Sequence, residues 1–128
     1  EARKLNLLVY QLTENFPRTE LFAMTSQIRR ASLSISSNIA EGSGRNSDKD
    51  FAHFLEQAYG SAMEVASIFY LAADKNYAAI KDVENVLARL ETLTKRIAAL
   101  NRSLSVPTSK TPFVRKPSTL DSRPSTLG

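Results

Sequence analysis

The chain has 128 residues, with 17 Lys or Arg against 13 Asp or Glu for a net charge of +4, 42% hydrophobic residues and no cysteine. That length suits one domain around one core, while the absence of cysteine excludes disulfides, thiolate catalysis and cysteine-ligated metal and makes a reducing, cytoplasmic setting the expectation. No apolar run approaches the roughly 20 residues that cross a bilayer and no signal-peptide pattern opens the chain, so no membrane partner is expected; the chain begins at Glu1 rather than Met, as if upstream residues were missing.

Leu5, Leu8, Val9, Leu12 and Phe16 mark one face of a first helix, which Pro17 ends at or near Phe16. Leu7 and Tyr10 lie off that stripe, as a second contact surface or as scattered exposed apolar groups. FPRTELFA then turns into the most patterned stretch of the sequence, Met24 to Gly42, for which Thr25 or Ser26 offers an N-cap hydroxyl. Met24, Ile28, Ala31, Ile35 and Ile39 recur at steps of three and four and form an apolar face. Gln27, Arg30, Ser34, Asn38 and Glu41 form a polar stripe beside it. Ser32, Ser34, Ser36 and Ser37 are indifferent helix formers, because a hydroxyl close to the backbone competes for its hydrogen bonds, so packing has to hold this helix. Gly42 and Gly44 supply a stop in the left-handed conformation.

The next helix begins after Ser47 as N-cap, with Asp48 and Asp50 near its positive end. Its inner line is Phe51, Leu55, Ala58, Ala62, Val65, Phe69 and Ala72. Ala52, Tyr59, Ala66, Tyr70 and Ala73 make a second line, and Phe54 and Ile68 lie outside both. A helix apolar around most of its girth is either central to a bundle or buries one side against another subunit. Gly60 inside it costs about 1 kcal/mol relative to Ala, which points to a close approach there unless it is a tolerated accident. The pattern breaks at Lys75-Asn76-Tyr77. The last helix carries a heptad seam of Val83, Val86, Leu90, Leu93, Ile97, Leu100 and Leu104. Four helices on short connections predict an all-α, antiparallel up-and-down four-helix bundle over residues 1–104. Residues 105–128 are a Pro/Ser/Thr-rich basic tail with PSTL twice, disordered or docked on a partner.

Charge is placed unevenly. From Arg89 onward eight basic residues face two acidic ones, a net +6, and the preceding part holds nine basic and eleven acidic residues, a net −2. That asymmetry favours an anionic partner, nucleic acid first; the plainer alternative is a helix end whose cations complement the dipole, followed by a basic tail. Enzymatic chemistry finds little footing. His53 is the only histidine and assembles no metal cluster, EGSGR reads as a helix stop more than a phosphate cradle, and Glu41 and Glu64 as an acid–base pair are outweighed by structural or solvated roles. No enzyme activity, metal or cofactor is expected. Arg30, Asn38 and Glu41 on the second helix with Ser61 and Glu64 on the third read instead as a polar network fixing helix register, or as a plain solvated face.

The runs FPRTE and QIRRASLSISSNIAEGSGR, followed by Phe51, Phe54, Leu55, Ala58, Gly60, Ser61, Glu64 and Val65, resemble the 23S rRNA intervening-sequence protein family, also called the four-helix-bundle protein family, over about Leu5 to Leu104. A relative of that family is the accessory variability protein of diversity-generating retroelements. The resemblance implies a four-helix bundle assembled as a ring of five, with a non-enzymatic role in bacteria alongside RNA or a nucleic-acid-handling partner such as a reverse transcriptase. It extends nothing to the tail. The sequence reading is therefore a homo-oligomeric scaffold binding RNA or DNA by phosphate contacts, with Arg29, Arg45, Lys49, Arg89, Lys95, Arg96 and Arg102 as contact residues, Arg115 and Lys116 adding tail contacts, and Arg30 structural. The alternative is a protein-interaction adaptor that never touches nucleic acid.

Overall fold

The computed structural model describes residues 1–104. They form four α-helices: α1 (Ala2–Thr13), α2 (Ser26–Ser43), α3 (Asp48–Asp74) and α4 (Ile80–Ser103). Short connections return each helix alongside the one before. Thus α1 packs on α2, α2 on α3 and α3 on α4, and α4 closes the ring of helices against α1. The architecture is the antiparallel up-and-down bundle that the periodicities predict, with no strand among the described residues. Val9, Ile28, Ile35, Leu55, Val65, Phe69 and Val86 have no solvent access and form the middle of the core.

The α1–α2 connection departs from the sequence reading. α1 ends at Thr13, three residues before Phe16, because the chain tightens there: the Asn15 and Phe16 amides donate to Leu12 and Thr13 at 3.3 and 3.0 Å. Phe16 still reaches the core, edge-on to Phe69 and tilted against Tyr77, with ring centroids 6.4 and 5.8 Å away. One 3-10 turn (Arg18–Glu20) and one π-helical turn (Leu21–Thr25) then lead directly into α2. Thr25 therefore has helical dihedrals and its side chain caps nothing, since a helix that grows out of a preceding turn has no free first-turn amides to satisfy.

Gly42 and Gly44 also act differently from the sequence reading. Neither has positive φ. Gly42 is the last buried residue of α2, and a Cβ there would sit 2.8 Å from Phe54 Cβ and 2.9 Å from Phe51 Cδ1. The missing side chain is what lets the end of α2 lie against the start of α3. Gly60 is the reverse case: it is exposed, and a Cβ there would meet nothing within 4 Å. The close approach expected at that position does not come from the described residues.

At its N-terminus α3 is capped as predicted, the Ser47 hydroxyl accepting from the Asp50 amide at 3.1 Å. Ala52, Tyr59 and Ala66 of its second apolar line are buried within the chain, and so is Ile68. α3 ends in a Schellman motif: the Tyr77 and Asn76 amides donate to Ala72 and Ala73 at 2.8 and 3.0 Å, with Asn76 at φ 62°, a conformation Asn tolerates better than most residues. The Tyr77 hydroxyl donates to Glu20 at 3.0 Å and ties this corner to the α1–α2 connection. That hydrogen bond first, then partial burial and the carboxylate charge, raise the Tyr77 phenol above its ordinary pKa of 10.0.

The seam of α4 holds from Val83 through Ile97 and is then interrupted, leaving Leu100 39% exposed and Asn101 buried, while Leu104, just past the helix, is half-buried against the core. A straight helix of 3.6 residues per turn drifts by about 20° per heptad. Val86, Leu93 and Leu100 thus step progressively off the core, and Asn101 rotates inward.

Gly42→Ala loses about 1–3 kcal/mol in urea unfolding, because two aromatic side chains have to move, whereas Gly60→Ala gains about 0.5–1 kcal/mol from helix propensity alone. A phenol whose pKa is higher folded than unfolded stabilises fully below its unfolded pKa, and the contribution is lost as pH rises through the folded value. Unfolding followed across alkaline pH therefore shows a loss of stability that Tyr77→Phe reduces.

Candidate nucleic-acid interface

Two sets of polar groups lie on the outside of the bundle, one along the α2–α3 seam and one along α4. The seam set exists because α2 carries short polar side chains beside its apolar face and α3 presents Ser61 and Glu64 across from them. Ser61 donates to the Ser34 hydroxyl at 2.9 Å, which also accepts from Asn38 Nδ2 at 2.9 Å, while the same amide group donates to the Ser34 carbonyl at 2.8 Å. Further along the seam, Gln27 Nε2 donates to Glu64 at 2.9 Å. Gln27, Ser34, Ser61 and Glu64 line a shallow groove of about 410 Å³ together with Arg30 and Ala31.

Of the five network residues read from the sequence, Asn38 and Ser61 meet through Ser34, and Glu64 is held by Gln27. Glu41 turns away to an exposed pair with Arg45 at 2.7 Å. Arg30 is exposed in the groove wall and has neither hydrogen bond nor ion pair among the described residues. The two bridging residues, Ser34 and Gln27, lie in the polar stripe visible in the sequence. Their partners depend on which turn of α3 faces them.

The cation candidates separate into engaged and free groups. Arg29 donates from Nε to Thr13 Oγ1 at 2.8 Å and its guanidinium lies 4.6 Å above the Tyr10 ring, so it fastens α2 to α1. Arg45 is held by Glu41 and stacks over Phe54 at 4.9 Å. Lys95 makes an exposed pair with Glu91 at 3.3 Å, the weak kind that water and salt screen. Lys49, Arg89, Arg96 and Arg102 are exposed and have no ion-pair partner among the described residues. On α4, Arg89 and Arg96 stand one heptad apart, as do Lys95 and Arg102, giving two cationic lines about 120° apart on the exposed side of its C-terminal half. The antiparallel topology places Lys49, at the start of α3, at the same end of the bundle as Arg102. Arg115 and Lys116 lie outside the described residues. Residues 1–104 hold 13 basic and 12 acidic residues, a net +1, so the overall positive charge comes mainly from 105–128.

The sequence reading missed two inter-helix polar contacts. Thr13 is buried between α1 and α2, donating to the Val9 carbonyl at 2.8 Å while accepting from Arg29. Ser32, also buried, donates to Asn6 Oδ1 at 3.0 Å. Both sit on the margin of an apolar stripe, the one sequence signal that marks them.

Fold and surface together define a four-helix-bundle protein whose seam polar groups join neighbouring helices and whose unpaired cations lie on the exposed side of α4. Among the described residues no three His, Asp or Glu side chains come together to hold a metal, and no helix is long and apolar enough to cross a membrane. The sequence model of the 23S rRNA-intervening sequence protein family matches residues 1–99, and the chain belongs to that family. No individual curated protein matches it.

A double-mutant cycle of Ser34→Ala with Ser61→Ala measures whether the seam is a network or a solvated face. The expected coupling is about 0.5–1.5 kcal/mol for one inter-helix hydrogen bond, and a value near zero identifies a solvated face.

Proposed function

We propose that the protein is a non-enzymatic, homo-oligomeric scaffold that works in the cytoplasm and holds structured RNA, or DNA, by sequence-tolerant phosphate contacts along α4. The observation that carries this reading is the pair of cationic lines, Arg89 with Arg96 and Lys95 with Arg102, in which three of four side chains have no internal ion pair to give up. Free cations repeating at heptad spacing meet a phosphate backbone without first breaking a protein contact. Lys49 extends the same end of the surface, and Arg115 and Lys116 add charge from the tail. Arg29 and Arg45 contribute less, because each already has a hydrogen-bond partner and an aromatic face. Membership in a family described by its place in 23S rRNA intervening sequences supports RNA as the first nucleic acid to test.

Self-association is supported by a second surface. Leu7, Tyr10, Leu21, Phe22 and Leu33 are exposed, Phe22 at 92%, and all but Leu7 border one hollow of about 540 Å³ between α1, the π turn and α2. A contiguous apolar face of this kind is a usual place for another subunit. The ring of five that the family resemblance implies is the assembly proposed, with this face as its contact.

Binding of a labelled rRNA-derived hairpin by the purified chain, titrated at several salt concentrations, tests the scaffold reading. With four α4 cations engaged, the slope of log K against log salt is about −3 to −4, and Arg89→Gln with Arg96→Gln makes it shallower by about 2. Affinity that is flat in salt rules the mechanism out, and an assembly that ignores RNA throughout favours a protein-interaction adaptor. Light scattering on the same samples reports mass: Phe22→Ser is expected to break the oligomer while leaving the helical content unchanged.

A further inference from the structure

A groove of about 310 Å³ runs between α3 and α4 on the opposite side of the bundle core from α1 and α2. Met63, Ala66, Leu87 and Leu90 form its apolar floor, and the exposed carboxylates of Glu84 and Glu91 stand on its α4 rim. The single cation on that rim, Lys95, is paired with Glu91 at 3.3 Å with both side chains well exposed, a contact too weakly held to keep Glu91 from another partner.

The chain itself carries a segment of matching chemistry. Beyond Leu104 it continues for 24 residues, and the first acidic residue among them is Asp121. Phe113, the only aromatic residue of the 24, is followed by Val114 and bracketed by Lys110 on one side and Arg115 and Lys116 on the other. An apolar pair flanked by cations complements an apolar floor rimmed by carboxylates.

The distance also fits. Leu90, at the middle of the groove, lies fourteen positions before Leu104 on α4, about 21 Å along the axis at 1.5 Å per residue. Phe113 lies nine positions after Leu104, enough for about 30 Å of extended chain, which covers the return with slack for the reversal of direction. Pro112, just before Phe113, and Pro117, just after Lys116, reduce the freedom lost on binding. A tether this short gives the segment an effective concentration in the millimolar range at the groove, which favours the same chain over a second copy as occupant.

We propose that residues 111–116, Thr-Pro-Phe-Val-Arg-Lys, dock in the α3–α4 groove of their own chain, with Phe113 and Val114 on the floor and Arg115 and Lys116 against Glu84 and Glu91. The docking does not depend on nucleic-acid binding. Where a nucleic acid uses Arg115 and Lys116, it competes with the groove for them.

The test uses the full chain with Phe113→p-benzoylphenylalanine, a photo-crosslinking side chain that inserts readily into methionine C–H bonds. Irradiation is expected to give a species of single-chain mass whose crosslinked peptides contain Met63 or Leu87. Ala88→Arg, at an exposed position lining the groove, is expected to abolish that crosslink by obstruction and repulsion. The pair Glu84→Lys and Glu91→Lys is expected to do the same by charge alone, so a folding defect in one variant leaves the other to decide. Crosslinks between chains identify a second copy as the occupant and overturn the proposal. So do crosslinks to other surfaces, no crosslink, or a crosslink that both groove variants leave intact.

Discussion

The closeness of α2 to α3 is the constraint on which the rest of the structure depends. These two helices make the most extensive contact in the bundle. At their junction Gly42 leaves the space that Phe51 and Phe54 fill, and further along the small side chains of Ala31, Ala58 and Ala62 are buried in the core beside Ile28 and Ile35. Small residues allow short interaxial distances, and short distances bring hydroxyls on facing helices within bonding reach. The contact between Ser34 and Ser61 is a consequence of that geometry. Neither side chain is long enough to bridge helices held farther apart.

The remaining helices are fastened to this pair by mixed apolar and polar contacts. α1 is held by Leu5 and Val9 in the core, and also by Thr13 and Asn6, which bond to Arg29 and Ser32 of α2. Buried hydroxyls and amides need partners, and these pairings specify register as well as adding stability. α4 packs on α3 through its leucine-rich seam. Arg89, Arg96 and Arg102 lie outside that seam on the exposed side of α4, whereas Arg29 and Arg45 are engaged in holding the structure together.

Electrostatics separates the described bundle from the rest of the chain. A net charge of +1 over residues 1–104 is too small for long-range attraction of a polyanion by net charge alone, so any phosphate affinity of the bundle depends on local grouping. The α4 lines provide such a grouping. The apolar face around Phe22 lies on a different part of the bundle, between α1 and α2, where Arg29 and Arg30 also border it.

The sequence by itself determined the number of helices, their order and nearly all of their core faces. Apolar residues at steps of three and four need a partner surface, and four such stripes on short connections have few ways to satisfy one another. It also determined the Ser47 cap and the break at Asn76, which are local chemistry. Only the tertiary structure decided what depends on distance between segments far apart in the chain. Gly42 reads as a left-handed stop until the rings of α3 are placed against it, and Gly60 reads as a close approach until none of the described residues is found near it. Leu100 reads as part of the seam until the drift of a straight helix turns it outward. Arg29 and Arg96 are indistinguishable as letters, and only the position of Thr13 and Tyr10 shows that one is bound and the other free. Periodicity records which face a residue is on, whereas the identity of its neighbour is set by packing between helices.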